Sequence, residues 1–147
     1  MPIPAEFAGI ERRLDELDAR LVRLRPLREK PRQELERDPD LRDIVERNLQ
    51  IAAQCCIDVS HRIGSREGSR RIVDDIKTIQ VLGELGVLPA AFARRLAPLA
   101  TLRNLLAREV PDTDWARVYA SLRGIDDLEQ FSVYIRQWLV KQQAAQS

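Results

Sequence analysis

Between Leu41 and Ile63 the chain places Leu41, Ile44, Val45, Leu49, Ala52, Ala53, Cys56, Ile57, Val59 and Ile63 at helical spacing. Together they cover most of a helix's circumference, so this segment cannot lie on a surface with one face in water. It must be wrapped by other elements, which makes it the axis of whatever the chain builds. Asp38-Pro39 supplies its start, with Pro39 in the first turn where no donor is lost, and Gly64 or Gly68 its end.

The segments available to wrap it are helical too. Phe7, Ile10, Leu14, Leu17, Leu21 and Leu24 alternate by three and four, the seam of a long amphipathic first helix that Pro26 and Pro31 end or kink. So narrow a seam suits one partner helix, either within the bundle or from a second copy of the chain. Ile72, Ile76, Ile79 and Leu82 or Leu85 mark a third helix closed by Gly86, and Leu88-Pro89 opens a fourth with Phe92 and Leu96 on one face. Pro98 either kinks that helix or starts a new one from Ala97 to Glu109, since Pro111 pushes Val110 out of helical backbone. Asp112, Thr113 and Asp114 can cap a short helix bearing Trp115, Val118, Tyr119 and Leu122, ended by Gly124. Leu128, Phe131, Ile135, Trp138 and Leu139 form the buried face of a final helix, with a frayed tail from about Gln142. With no strand pattern and no repeat, 147 residues predict one all-α domain, a compact bundle of about five to six helices with a long first and a buried second helix.

Composition excludes several functions. Twenty-four Lys and Arg against 23 Asp and Glu leave a formal charge of +1, so no global field draws the protein to nucleic acid or to an anionic membrane, and any RNA contact is local. No helix displays a basic base-reading face, which argues against a DNA-binding helix-turn-helix. One histidine, an adjacent Cys55-Cys56 pair and no glycine-rich phosphate loop give neither a metal-ligand set nor a cofactor cradle, so none is expected. Neighbouring cysteines on a helix point about 100° apart, a poor geometry for a disulfide. They read as buried small hydrophobes in a reducing cytoplasm, and no signal sequence or apolar run of about 18 residues argues for another location.

Two polar features remain. On the central helix Gln50, Gln54, Asp58, His61 and Ser65 follow at spacings of four, four, three and four, one stripe along an otherwise apolar rod. Further on, Arg103-Asn104 stands mid-helix, where an asparagine has no propensity argument in its favour and is one of only two in the chain, with Asn48.

Taken in order, the long charged first helix, "LQIAAQCCIDVSHRIGSREG", "LGELGVLP" and "LATLRNLLAREVPDTDWARVYASL" resemble the HepT type of HEPN-domain protein over about residues 6 to 140. That family is identified with toxins of toxin–antitoxin modules, paired with minimal nucleotidyltransferase antitoxins. The resemblance implies a homodimer and a metal-independent endoribonuclease, in which the RNA's own 2′-hydroxyl attacks the adjacent phosphate. Its site pattern is Arg, Asn, three residues, His, one residue, Tyr. Arg103 and Asn104 match, whereas Arg108 stands at the His position and Val110 at the Tyr position. Arg103 can hold the phosphate and Asn104 orient an oxygen, but a guanidinium stays charged and takes no proton, so the acid/base role is vacant at Arg108. In the family the motif Tyr also accepts nucleotidyl groups from the antitoxin; Val110 has no hydroxyl to receive one. Tyr119 and Tyr134 match no motif, and their spacing with Trp115, Leu122, Phe131 and Trp138 reads as core packing.

One arrangement would restore a site: Arg103, Asn104, Arg108, Asp58 and His61 lining a cleft for a phosphate or RNA, with His61 as substitute base. In the alternative, Gln50, Gln54, Asp58 and His61 satisfy each other or a backbone group, and Arg103 or Arg108 pairs with Glu109, Asp112 or Asp114. Two functions stay open: a toxin-type ribonuclease component with impaired cleavage, or a catalytically inactive relative that binds RNA or protein.

Overall fold

A computed structural model describes residues 5–67, 74–107 and 115–145. Within them lie eight helices and no strand: α1 Ala5–Arg28, α2 Arg32–Arg37, α3 Pro39–Glu67, α4 Asp75–Glu84, α5 Ala90–Leu96, α6 Leu99–Ala107, α7 Trp115–Arg123 and α8 Ile125–Ala145. The expected all-α bundle is therefore what these residues form. The helix count rises because α2 is a single short element and Pro98 separates α5 from α6.

Apolar circumference decides that α3 is the axis. Val45, Leu49, Ala52, Cys56, Ile57, Val59 and Ile63 are 0–1% exposed, and α1, α2, α4, α6, α7 and α8 all pack on this one helix. Its start is fixed by the Asp38 carboxylate, which accepts from the backbone N–H groups of Asp40 (3.0 Å) and Leu41 (3.3 Å), donors that a helix's first turn leaves without partners. Cys55 and Cys56 are buried free thiols in its middle; burial pushes Cys55 up to about 12 and Cys56 well above the ordinary thiol value.

The leucine seam of α1 is buried inside the same chain. Phe7, Ile10, Leu14, Leu17, Leu21 and Leu24 are at most 1% exposed, laid against α3 and α8, so of its two possible partners the seam takes the intramolecular one. Burying each such leucine is worth roughly 1.5–3 kcal/mol. Phe7 meets Trp138 edge to face at 5.8 Å, and Arg136 of α8 donates to Asp15 (3.0 Å) and Asp18 (2.8 Å) of α1. Pro26 does not end α1, which continues to Arg28; Pro31 instead precedes α2.

Two glycines let α4 and α5 form a tight hairpin. Gly86 takes φ +75°, a left-handed turn at the end of α4 that side chains resist. Gly83 faces α5, where a Cβ would stand 2.9 Å from the Ala93 Cβ. On α4 only Thr78, Ile79 and Leu82 are buried; of the alternatives Leu82 and Leu85 the first takes the core place, Ile76 is 38% exposed, and Ile72 lies outside the described residues. The expected cap at Asp112, Thr113 and Asp114 also lies outside them. The tail expected to fray from Gln142 stays helical to Ala145. Among the described residues no helix is long and apolar enough to cross a membrane.

Candidate functional site

Helix α6 begins where Pro98 interrupts the backbone ladder, and its buried residues Ala100 and Leu102 fix which face meets the bundle. Arg103, next after Leu102, is thereby carried to the edge of that contact, where its side chain is 28% exposed. From the axis, α3 brings His61, 33% exposed. The two meet at a residue that the sequence reading did not single out, Asp75, the first residue of α4.

Asp75 joins them with one oxygen each: Oδ2 accepts from Arg103 Nη2 at 2.7 Å and Oδ1 from His61 Nε2 at 2.6 Å. Its position is set locally. The Asp74 carboxylate caps α4 by accepting from Ile76 N–H (2.8 Å) and Lys77 N–H (3.4 Å), and the Thr78 hydroxyl donates to the Asp74 carbonyl at 2.9 Å. Partial burial raises the Asp75 carboxyl's proton affinity, but the hydrogen bonds from His61 and Arg103, with their charge, outweigh it and hold the group below the usual carboxylate range. An ionised carboxylate only accepts, so the proton on the His61 ring facing it is on Nε2. Among the described residues Nδ1 meets only the Thr78 oxygen, at 3.5 Å, which is too long for a strong bond. Arg103 keeps a second feature: its Nε is buried with no hydrogen-bond partner among the described residues.

The other expected site residues are distributed differently. Asn104 lies beside Arg103 on α6 and is exposed. Asp58 is not drawn to Arg103: its Oδ1 accepts from Gln54 Nε2 at 2.8 Å and its Oδ2 lies 3.9 Å from Arg13 Nε of α1. The reason is that α3 is flanked by α1 and by α4, and the stripe divides between the flanks, Asp58 turning to one and His61 to the other. Gln54 and Asp58 thus satisfy each other, while His61 does not join them. Arg103 pairs with Asp75, and its expected partners Glu109, Asp112 and Asp114 lie, with Arg108 and Val110, outside the described residues. Tyr119 and Tyr134 are half-buried against the core, Tyr134 edge to face with Phe92 at 5.0 Å, as their spacing predicts. No group of His, Cys, Asp and Glu able to hold a metal occurs among the described residues.

Asp75 did leave a signal in the sequence. Adjacent aspartates ahead of an apolar run read as a helix start. Which of the two caps and which turns inward depends on the neighbouring helices.

Comparison with known proteins bears on the same elements. The family model described as Ribonuclease HepT-like matches residues 10–135. The tRNA nuclease HepT of Aphanizomenon flos-aquae is 32% identical over 94 residues, which make up 64% of this chain and 63% of that protein, so the match spans less than two thirds of the relative's length. Among solved structures, the tri-AMPylated HEPN toxin of Shewanella oneidensis in complex with the MNT antitoxin superposes with a TM-score of 0.76 at 19% identity, covering 87% of this chain and 96% of that one. YutE of Bacillus subtilis, a cytosolic protein of unknown function, superposes with a TM-score of 0.81 at 15% identity, covering 97% and 95%. At such identities the two structures speak for the fold alone.

Proposed function

The chain belongs to the HepT-like ribonuclease family, and from that membership we propose that it is the toxin-type component of a prokaryotic toxin–antitoxin module, acting on RNA at Arg103 in the cytoplasm. Its partner in this reading is a minimal nucleotidyltransferase antitoxin, as the MNT complex of the Shewanella toxin suggests. The single observation that carries the choice of site is the convergence of Arg103 and His61 on Asp75.

The chemistry assigned to that convergence is transesterification. The 2′-oxygen forms a bond to phosphorus and the bond from phosphorus to the 5′-oxygen breaks. A base takes the proton of the 2′-hydroxyl, and an acid returns one to the departing oxygen. Arg103 supplies fixed positive charge for the phosphoryl oxygens, and exposed Asn104 an amide for a phosphate oxygen or a 2′-hydroxyl. His61, held through Nε2, takes the proton on Nδ1 in place of the missing motif histidine. Arg108 adds phosphate-binding charge and Val110 offers no acceptor for nucleotidyl transfer, so control passes to binding by the partner. Asp58 is assigned no part in this site. A homodimer places one Arg103 from each subunit around a shared cleft. In this reading the dimer contact is the motif face, and burial of the α1 seam within its own chain supports that choice.

A second reading is favoured by Arg108 and Val110 themselves: a catalytically inactive subunit that binds RNA or protein. One experiment separates the two. Purified protein is assayed for RNA cleavage in the presence of a chelator, beside Arg103→Ala, His61→Ala and the double change Arg108→His with Val110→Tyr. Cleavage by the native chain that is lost in both alanine variants supports the first reading, and cleavage untouched by His61→Ala removes His61 from the mechanism. No native cleavage, with activity restored by the double change, supports the second.

A further inference from the structure

Away from the Arg103 cluster, on the α1 flank of the same turn of α3, arginines outnumber the carboxylates among the described residues. A recess of about 300 Å³ between α1 and α3 is lined by Gly9, Arg12, Arg13, Glu16 and Arg62. Three guanidiniums therefore face one carboxylate. That carboxylate is already divided, 3.8 Å from Arg13 and 3.9 Å from Arg20, and the other partner of Arg13 is Asp58 at 3.9 Å. Arg12 and Arg62 are exposed and make no ion pair or hydrogen bond among the described residues. Elsewhere long-range pairs are plentiful, such as Arg25 with Glu129, Arg28 with Asp126 and Arg136 with Asp18.

Gly9 gives this cluster its shape. It is buried, and a Cβ there would lie 2.6 Å from Arg62 Nη1. The absent side chain is what lets the Arg62 guanidinium lie down on the backbone of α1 beside Arg12 and Arg13. Like charges brought together in this way repel, and an oxyanion able to take several N–H donors at once relieves the repulsion. Arg62 follows His61 directly on α3, so the recess and the Arg103 cluster flank one helical turn.

We infer that the recess formed by Arg12, Arg13 and Arg62 over Gly9 is a phosphate-binding subsite, and that it takes a backbone phosphate of the RNA strand whose reacting phosphate sits at Arg103. The second half of this statement rests on the function proposed above. The first half does not.

The test is binding of a fluorescent single-stranded oligoribonucleotide by the full chain over a range of salt concentrations, with Arg62→Ala, Gly9→Ala, Arg103→Ala and, as a control of equal charge change, Arg47→Ala. Arg47 is exposed on the same helix, about 22 Å along its axis at 1.5 Å per residue. Gly9→Ala removes no charge and favours the helix, so it displaces Arg62 without threatening the fold. Loss of one single-strand phosphate contact lowers the slope of log K against log salt by about 0.7. That loss is expected in Arg62→Ala, Gly9→Ala and Arg103→Ala, and not in Arg47→Ala. RNA binding with a slope unchanged in Arg62→Ala and Gly9→Ala overturns the subsite and leaves the Arg103 reading standing. No RNA binding by the native chain overturns the RNA reading, and the recess is then judged by inorganic phosphate alone. Phosphate-dependent NMR shifts at the Gly9 and Arg62 amides, absent with chloride and in Arg62→Ala, keep it as a site for free phosphate; their absence overturns it.

Discussion

Replacing Asp75 by Asn removes the charge that holds Arg103 and His61 while changing almost nothing in volume. In the native protein each carboxylate oxygen accepts one charge-assisted bond, at 2.7 Å and 2.6 Å, in a side chain only 19% exposed. The amide keeps one accepting oxygen, so one donor retains a neutral partner and the other faces an NH2 group. Hydrogen bonds to charged groups are worth about 1.5–3 kcal/mol, and losing one outright while weakening the second costs about 2–3 kcal/mol. For a chain of this size that lowers the Tm by roughly 4–10 °C. The pH dependence has a fixed sign. The Asp75 carboxyl lies lower in the folded chain than its unfolded value of 3.8, so its contribution is fully present above about pH 5 and is lost as the pH falls through the folded value. Thermal unfolding of both proteins at pH 7, 5 and 3.5 should show a gap between them that is present at 7 and 5 and shrinks by 3.5. Equal Tm values at pH 7 would refute the claim that the cluster is held by this charge. A gap that persists undiminished in acid would attribute the effect to packing.

Three further outcomes follow from the fold. Leu21→Ala in the seam of α1 should cost about 2–5 kcal/mol in urea unfolding, since the leucine is 1% exposed, while leaving the oligomeric state in sedimentation unchanged because the seam faces its own chain. Cys55 and Cys56 should not react with a thiol reagent at pH 8 until the protein is unfolded, because burial holds both as thiols, Cys55 up to about 12. Gly86→Ala should destabilise by about 1–2 kcal/mol from backbone strain alone, as φ is +75° and nothing lies within 4 Å of an added Cβ; a neutral result in calorimetry would mean the α4–α5 turn relaxes.

The fold was legible to the extent that its signals are periodic. An apolar circumference from Leu41 to Ile63 required a central helix and the three-four seam from Phe7 to Leu24 a long outer one; proline and glycine then set the breaks at 39, 86 and 98. Each of these is a property of one helix or one turn, so the neighbours add little information. The candidate site was legible only at Arg103, Asn104 and His61, where an ordered motif or an isolated polar residue stands against its background. Its keystone was not. Asp75 reads from the sequence as one of two capping acids, and only the placement of α4 against α3 and α6 turns one carboxylate to the backbone and the other between an arginine and a histidine. In the same way the stripe on α3 is one line in sequence but two sites in space, because α1 pulls Asp58 and Arg62 one way while α4 holds His61 the other. Sequence by itself determined most of the buried residues, since hydrophobic period needs only local geometry, but not that Ile44 and Ile76, which share that period, stay 44% and 38% exposed. Which charges meet was decided by tertiary structure alone, because an ion pair between residues 28 or 14 positions apart depends on how three helices cross, and no local pattern records that.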